Sequence, residues 1–358
     1  MSLRRIAAAD AIARLADFSA VVDARSESEF AEDHLPGAVN WPSLNDEQRH
    51  LVGTEYKQVS PFAARKRGAA LVARNVAGHI ERHVATLERD WRPLVYCWRG
   101  GQRSGALASV LDQIGFGVHV LEGGYQAFRR AVIAELETLP AALELRVLCG
   151  RTGSGKSRLL QALRAHGAQV LDLEGLACHR GSVLGPVPGM AQPSQKAFET
   201  LLWQALRGFD GARPVFVEGE SRTIGRLRVP QALIDRVRAA PVLRLEMPLR
   251  SRVALLLEDY PHFVDDSALF CERLAALRDL RGAATVERWQ AAARGGDFAG
   301  VVQELLVTHY DPSYERSMQR HFSGFAAATT VALDDGSAAV LSAAAAALSP
   351  PGRVSPSC

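Results

Sequence analysis

Two glycine-rich loops, each set between an apolar strand and an amphipathic helix, constrain this chain more than any other feature. The first is Cys97-Trp98-Arg99-Gly100-Gly101-Gln102-Arg103-Ser104, following Leu94-Val95-Tyr96; the second is Gly150-Arg151-Thr152-Gly153-Ser154-Gly155-Lys156-Ser157, following Leu145-Arg146-Val147-Leu148-Cys149. A strand that passes through such a loop into a helix is a unit of a parallel sheet, because the helix must cross back over the sheet before the next strand can lie alongside. Buried-strand patterns recur at 20–24, 94–97, 118–121, 145–149, 170–173, 215–218 and 242–245, with helical patterns at 104–114 and 125–136. Ser26 followed by Glu29 is a capping box that opens a short helix. The expected class is therefore α/β. With 358 residues the chain divides into two parallel-sheet domains, 1–138 and 139–325, with Pro140 and its flanking alanines at the join. Residues 326–358 are rich in Ala, Ser and Pro and read as a poorly ordered tail holding at most one helix.

Composition narrows the setting. No uninterrupted apolar run approaches the roughly 18 residues of a membrane span. Met1-Ser2-Leu3-Arg4-Arg5 and the alanines after it are broken by Asp10 and Asp17, which favours an opening amphipathic helix over a targeting segment, and the expected location is cytoplasmic. The five cysteines, at 97, 149, 178, 271 and 358, are odd in number and unpaired in spacing, as expected of reduced thiols, and no zinc pattern is present. A net charge of +3 permits a polyanionic partner without requiring one. Lysine occurs only at 57, 66, 156 and 196. A chain that otherwise writes arginine has kept the compact ammonium at Lys156, where a loop of this kind needs a point charge against phosphate.

The two loops imply different chemistry. Successive amides at a helix start form an anion nest, and such surroundings favour the thiolate of a cysteine at the mouth. Cys97 is the candidate nucleophile, able to carry a transferred sulfur or selenium atom. Arg99, Gly100, Gly101 and Arg103 are candidates for binding an oxyanion. The bland alternative is a structural cysteine at a strand end. The second loop matches G-x-x-x-x-G-K-[ST] at every fixed position. Gly150, Gly153 and Gly155 shape a diphosphate cradle, Lys156 neutralises its outer oxygens, and the Ser157 hydroxyl is placed to hold Mg2+. ATP, GTP or another diphosphate satisfies the same groups. Asp172 with Glu174, and Glu218 with Glu220, lie at strand ends where carboxylates support a metal ion or a water beside the phosphates. The His179-Arg180-Gly181-Ser182 cluster falls in a Gly- and Pro-rich stretch suited to closing over a ligand.

With Asp23-Ala24-Arg25, Glu29-Phe30 and His34-Leu35-Pro36-Gly37-Ala38-Val39-Asn40 upstream, the cysteine loop resembles a rhodanese domain across about residues 5–135. Five residues separate Cys97 from Arg103, the spacing also used by cysteine phosphatases. Fused directly to a P-loop domain, the segment resembles the tRNA 2-selenouridine synthase family as far as about residue 320. The resemblance includes 171–177, His179-Arg180-Gly181-Ser182, Gln195-Lys196 with Phe198-Glu199, and Glu218-Gly219-Glu220-Ser221-Arg222. Cys178 departs from it, standing where the family pattern leads us to expect a polar residue such as Asn.

The resemblance implies an enzyme, a transferase, that acts on the anticodon loop of tRNA. It would replace the sulfur of a wobble 2-thiouridine by selenium from selenophosphate, through an S-geranyl intermediate made from geranyl diphosphate. It also brings in a selenophosphate-producing enzyme as a partner. Arg65-Lys66-Arg67, Arg222, Arg226 and Arg228 are the candidate tRNA contacts, and Trp98 either stacks on a splayed base or packs its own loop. The alternative is a sulfurtransferase or a Cys-x5-Arg phosphatase coupled to an ATP-binding domain.

Overall fold

The computed structural model describes residues 3–179 and 191–349, so Arg180-Gly181-Ser182 and Cys358 lie outside the described residues. The chain divides into two compact units. One is Met1–Leu136 together with Pro193–Gln204; the other is Glu137–Gln192 together with the chain from Ala205 onward.

The first unit is built on five parallel strands, β1 (Arg4–Ile6), β2 (Ala20–Asp23), β3 (Ala38–Asn40), β4 (Pro93–Tyr96) and β5 (His119–Leu121), in the order β1-β5-β4-β2-β3. All four residues of β4 are buried, as expected for a central strand covered on both faces. Its core packs Val22, Val95, Leu107, Leu111 and Val120 with Trp41 and Trp91. In the β2–β4 register Asp23 pairs with Tyr96, so the carboxyl ends of the two strands finish side by side and bring Asp23-Ala24-Arg25 level with the cysteine loop.

The chain opening differs from expectation: Arg4–Ile6 is an edge strand on β5 and the helix begins only at Ala8. Ile6 alone is buried there, because three residues suffice to satisfy one sheet edge while both arginines remain in water. A helical hairpin, Asp46–Gln58 and Pro61–His83, fills the stretch between β3 and β4. Its starts carry clear signals: an Asn45–Gln48 capping box, and Ser60 ahead of Pro61.

In the second unit β6 (Leu145–Gly150), β7 (Gln169–Leu171), β8 (Val215–Glu218), β11 (Val242–Glu246) and β12 (Thr329–Ala332) form a parallel sheet in the order β12-β11-β6-β8-β7, beside a hairpin of β9 (Thr223–Ile224) and β10 (Leu227–Arg228). The β6–β8 register sets Leu148 opposite Glu218, which brings that carboxylate to the root of the loop after β6. Between β11 and β12 lies a helical lobe spanning 249–321, with its own core of Phe263, Phe270, Leu274, Trp289 and Leu305.

The expected tail is corrected here: β12 pairs with β11, and the helix Ala338–Leu348 buries Leu341 and Ala345 in the core that holds Leu159, Leu160 and Leu163. Alanine-rich composition suggested disorder, but small side chains also let a helix lie close on its neighbour, and the burial of Leu341 and Ala345 fixes it there. No helix among the described residues is long and apolar enough to cross a membrane.

Candidate functional site

The cysteine loop starts where β4 ends. Cys97 is 3% exposed. Its Sγ lies 3.1 Å from the Ser104 Oγ, one turn into the helix Gln102–Ile114 that begins beside it. The Ser104 hydroxyl has a second partner in reach, the Gly101 carbonyl at 3.3 Å, so its single proton can serve either acceptor.

The loop is clamped from outside by the turn after β5. Tyr125 N donates to Cys97 O at 2.8 Å and Gln126 N to Trp98 O at 3.1 Å. A Cβ at Gly124, where φ is +56°, would lie 2.2 Å from Cys97 O and 2.5 Å from Gly100 N, so only glycine admits this approach of the two loops.

Beneath the loop lies a buried polar network. The Arg25 guanidinium pairs with Asp23 at 2.6 Å, donates to Asp33 O at 2.6 Å and sits 4.0 Å from the centre of the Tyr125 ring. The Asp33 carboxylate accepts from Tyr125 Oη at 2.7 Å and from Thr200 Oγ1 at 3.0 Å. Burial, with the Asp33 charge adding to it, raises the Tyr125 phenol well above its ordinary range and keeps it a donor. Thr200 belongs to Pro193–Gln204, far along the chain. The same segment pairs Lys196 with Glu32 at 2.8 Å, Glu199 with Arg129, and Trp203 Nε1 with Glu135 at 2.8 Å.

The arginines of the loop take separate courses. Arg99 is exposed and donates to Gln126 at 3.2 Å. Arg103 turns to Glu29, 2.6 Å away. Burial pushes the Glu29 carboxyl up, but its pairing with Arg103 outweighs this and leaves it below the usual carboxylate range. Glu29 is also the closing residue of the Ser26 capping box, so one carboxylate joins the helix Glu27–Glu32 to the start of the cysteine-loop helix. A phosphatase of the Cys-x5-Arg type aims its arginine at the bound phosphate, whereas this Arg103 is engaged elsewhere. Trp98 packs on Tyr125 with ring centres 5.4 Å apart.

The P-loop bends as its sequence requires. Gly153, at φ +78°, leaves no room for a Cβ, which would meet Arg252 O at 2.9 Å and Leu256 at 3.0 Å. Lys156 Nζ donates to Gly150 O at 2.7 Å, folded back along its own loop. The Ser157 hydroxyl reaches Glu174 at 3.4 Å, and Glu174 N donates to Glu218 at 2.7 Å. Asp172 caps the next short helix through Gly175 N at 2.7 Å.

The carboxylates are electrostatically stressed. Glu218 is raised well above its usual range by burial and then by Asp172, and among the described residues its Oε2 has no hydrogen-bond partner. Glu220 is pushed up to about 7 by burial and the Glu174 charge, against the pull of Lys156. Lys156, Asp172, Glu174 and Glu220 line a cavity of ≈ 570 Å³ that also takes in Thr152, Tyr260 and Tyr314, with Glu218 buried behind its wall. Among the described residues no three His, Cys, Asp or Glu side chains converge into a ready metal site. A P-loop magnesium asks for less, namely one or two protein oxygens, phosphate and water. The orphaned Glu218 oxygen and the Ser157 hydroxyl are hard donors that suit it.

Several structural partners of the loop escaped the sequence reading. Arg252, 3% exposed, donates to Thr152 O at 2.9 Å and pairs with Asp311 at 2.6 Å, tying the P-loop to the helix Asp311–His321. A usable signal existed, since Arg252 falls on the apolar face of a helix with Leu249, Val253 and Leu256 at i−3, i+1 and i+4. Asp33 and Thr200 carried no comparable signal. The other basic candidates stay outside: Arg222, Arg226 and Arg228 are exposed at the β9–β10 hairpin, and Arg65-Lys66-Arg67 on the helix Pro61–His83. His179 borders the P-loop cavity.

Together these features define a class: a rhodanese-like thiol loop and a nucleotide-type P-loop in one chain. Residues 7–131 match the rhodanese-like domain family, and residues 143–274 match the tRNA 2-selenouridine synthase AAA domain. The chain is 35% identical to the tRNA 2-selenouridine synthase of Alcanivorax borkumensis, over 88% of this chain and 95% of that one. It is 33% identical to that of Marinobacter nauticus, over 82% and 87%, and 32% identical to that of Bdellovibrio bacteriovorus, over 84% and 89%. The chain belongs to the tRNA 2-selenouridine synthase family.

Proposed function

We propose that this protein is a tRNA-modifying transferase that exchanges the sulfur of a wobble 2-thiouridine for selenium, in two steps served by its two loops. The observation that carries the reading is the coexistence of an intact thiol loop and an intact P-loop in a chain matched to this family over nearly its whole length.

A thiocarbonyl in a uracil ring is a poor electrophile with a poor leaving group, so the first step activates it. The thiouridine sulfur attacks C1 of geranyl diphosphate; the S–C bond forms, the C–O bond breaks and diphosphate departs. Gly150, Gly153 and Gly155 cradle the diphosphate, and Lys156 swings from the Gly150 carbonyl to the departing oxygens. Mg2+, held by Ser157 with Glu218 or Glu220 and supported by Asp172, supplies further charge neutralisation when bound.

In the second step the selenium of selenophosphate attacks the imidate-like C2, the geranyl thiol leaves, and water cleaves the Se–P bond to give phosphate. The amides at Gly100 and Gly101, with Arg99, bind the selenophosphate oxyanion, while Arg103 acts from its Glu29 pairing to hold the helix start. Cys97 serves here, as covalent carrier of selenium or as the group assisting departure of the thiol. Intact-protein mass spectrometry of a Cys97–selenium adduct distinguishes these two roles. The tRNA meets Arg222, Arg226, Arg228 and the Arg65-Lys66-Arg67 face, which makes binding salt dependent, and a selenophosphate-producing enzyme in the cytoplasm supplies the donor.

The test is mass spectrometry of nucleosides from thiolated tRNA incubated with the full chain, geranyl diphosphate, selenophosphate and magnesium. 2-Selenouridine is the expected product. Unchanged 2-thiouridine would overturn the proposal, and consumption of ATP with no use of the prenyl donor would favour the coupled sulfurtransferase.

A further inference from the structure

A second cleft opens from the P-loop cavity, and its lining is of a different kind. Thr152, Leu256, Tyr260 and Tyr310 border both spaces. Beyond them the walls are hydrocarbon and aromatic rings: Phe263, Val264, Phe270, Phe298, Val302 and Leu305. With Leu256, these side chains come from four helical segments of the lobe, Leu249–Asp259, Pro261–Asp265, Ser267–Ala275 and Phe298–Leu305, and the last runs into a π-helical turn at Leu306–Tyr310 that carries Tyr310 to the junction. The space between the walls is ≈ 530 Å³ including its open mouth, of which ≈ 40 Å³ is already wide enough for water.

Resting on the reading above, we infer that this cleft seats the isoprenoid chain of a prenyl diphosphate whose phosphates occupy the P-loop. One end of the combined space offers an ammonium, a hydroxyl and loop amides, and the other offers almost nothing except apolar surface. That polarity matches an amphiphile with a charged head and a hydrocarbon tail. A purine does not match it, since the ring nitrogens and amino group would be buried against Phe263, Phe298 and Leu305 without partners. Phe263, Phe270 and Leu305 are buried and packed on one another in the ligand-free lobe, so the chain enters by displacing side chains. The five-residue helix Pro261–Asp265, which carries Phe263 and the 40% exposed Val264, is the wall best placed to move.

The experiment is calorimetric titration of the full chain, with magnesium, by inorganic diphosphate, geranyl diphosphate and ADP. Geranyl diphosphate should bind about a hundredfold or more tighter than diphosphate, since several methylene equivalents leave water. Val302→Trp, which fills the cleft, should bring the two ligands to within about threefold of each other while leaving diphosphate affinity unchanged. Val264→Arg, at the exposed mouth and therefore tolerant of folding, should act in the same direction. Equal affinity of the wild-type chain for geranyl diphosphate and diphosphate would overturn the cleft and leave the P-loop assignment standing, as would ADP binding more tightly than geranyl diphosphate. Failure to bind any of the three would overturn the P-loop assignment and the cleft with it.

Discussion

Replacing Arg252 by Ala tests whether the P-loop is held in place from the helical lobe. The side chain is 3% exposed and makes three charge-assisted contacts, to Thr152 O at 2.9 Å and to the two Asp311 oxygens at 2.9 and 2.6 Å. Truncation leaves the Asp311 carboxylate without its partner, and breaking a buried pair from one side costs about 3–5 kcal/mol. The Asp311 side chain retains 16% exposure, so water recovers part of its solvation and the lower end, about 3 kcal/mol, is expected.

The assay must report on the second unit alone. Of the five tryptophans only Trp289 lies in it, buried at 1% exposure, so a 5-fluorotryptophan-labelled chain gives one 19F resonance for that unit. Its urea midpoint should fall by about 1–3 M in Arg252→Ala. The double variant Arg252→Met with Asp311→Leu should regain most of the loss, because removing both charges leaves no unpaired charge and only the Thr152 carbonyl loses its donor. A single variant within about 0.5 kcal/mol of wild type would refute the idea that this pair fixes the loop.

Glu220→Gln addresses the stressed carboxylates. The Glu220 pKa is raised from 4.5 to about 7, so stability belongs to the neutral form, is complete below about pH 4.5 and is lost as pH rises through 7. The ligand-free variant should therefore be more stable than wild type near pH 8, by at most about 3 kcal/mol, with the gap closing near pH 4.5 in thermal melts; a gap independent of pH would contradict the assignment. Cys178 has φ +47°, a region that L side chains other than Asn and Asp rarely enter, so Cys178→Asn should stabilise the chain by up to about 1 kcal/mol in thermal unfolding, and a loss would count against strain at that position. Cys97→Ala should abolish selenium incorporation and leave S-geranylation near wild-type rate, whereas Lys156→Ala should block geranylation, both read by nucleoside mass spectrometry; selenation surviving without Cys97 would remove it from the chemistry.

The parts legible in the sequence are those where local chemistry and global fold agree. An apolar run, a glycine turn and a helix are three neighbouring signals of one parallel unit, so β4 with its loop and β6 with its loop could be placed almost to the residue. The Ser26–Glu29 box was equally local, and its Glu29 turned out to serve a second purpose as the partner of Arg103. What resisted reading depends on distant partners. β1 and β12 are short edge strands whose assignment comes from the neighbour they pair with, and neither has an apolar run of its own. The helical lobe lies where no loop motif punctuates the chain, so its cleft had no signature beyond scattered aromatics.

The segment Pro193–Gln204 is the clearest case. Its Gln195-Lys196 and Phe198-Glu199 belong to the family resemblance, and the fold shows what Phe198 and Glu199 do in this chain. Phe198 is fully buried, Glu199 holds Arg129, and Thr200 completes the hydrogen bonds of the Asp33 carboxylate that receives Tyr125. Tyr125 in turn donates its amide to the Cys97 carbonyl. Residues separated from the cysteine by about a hundred positions thus help fix the backbone that presents it, so substitution at Thr200 should be felt first in the order of the cysteine loop, ahead of any change in the sheet beneath.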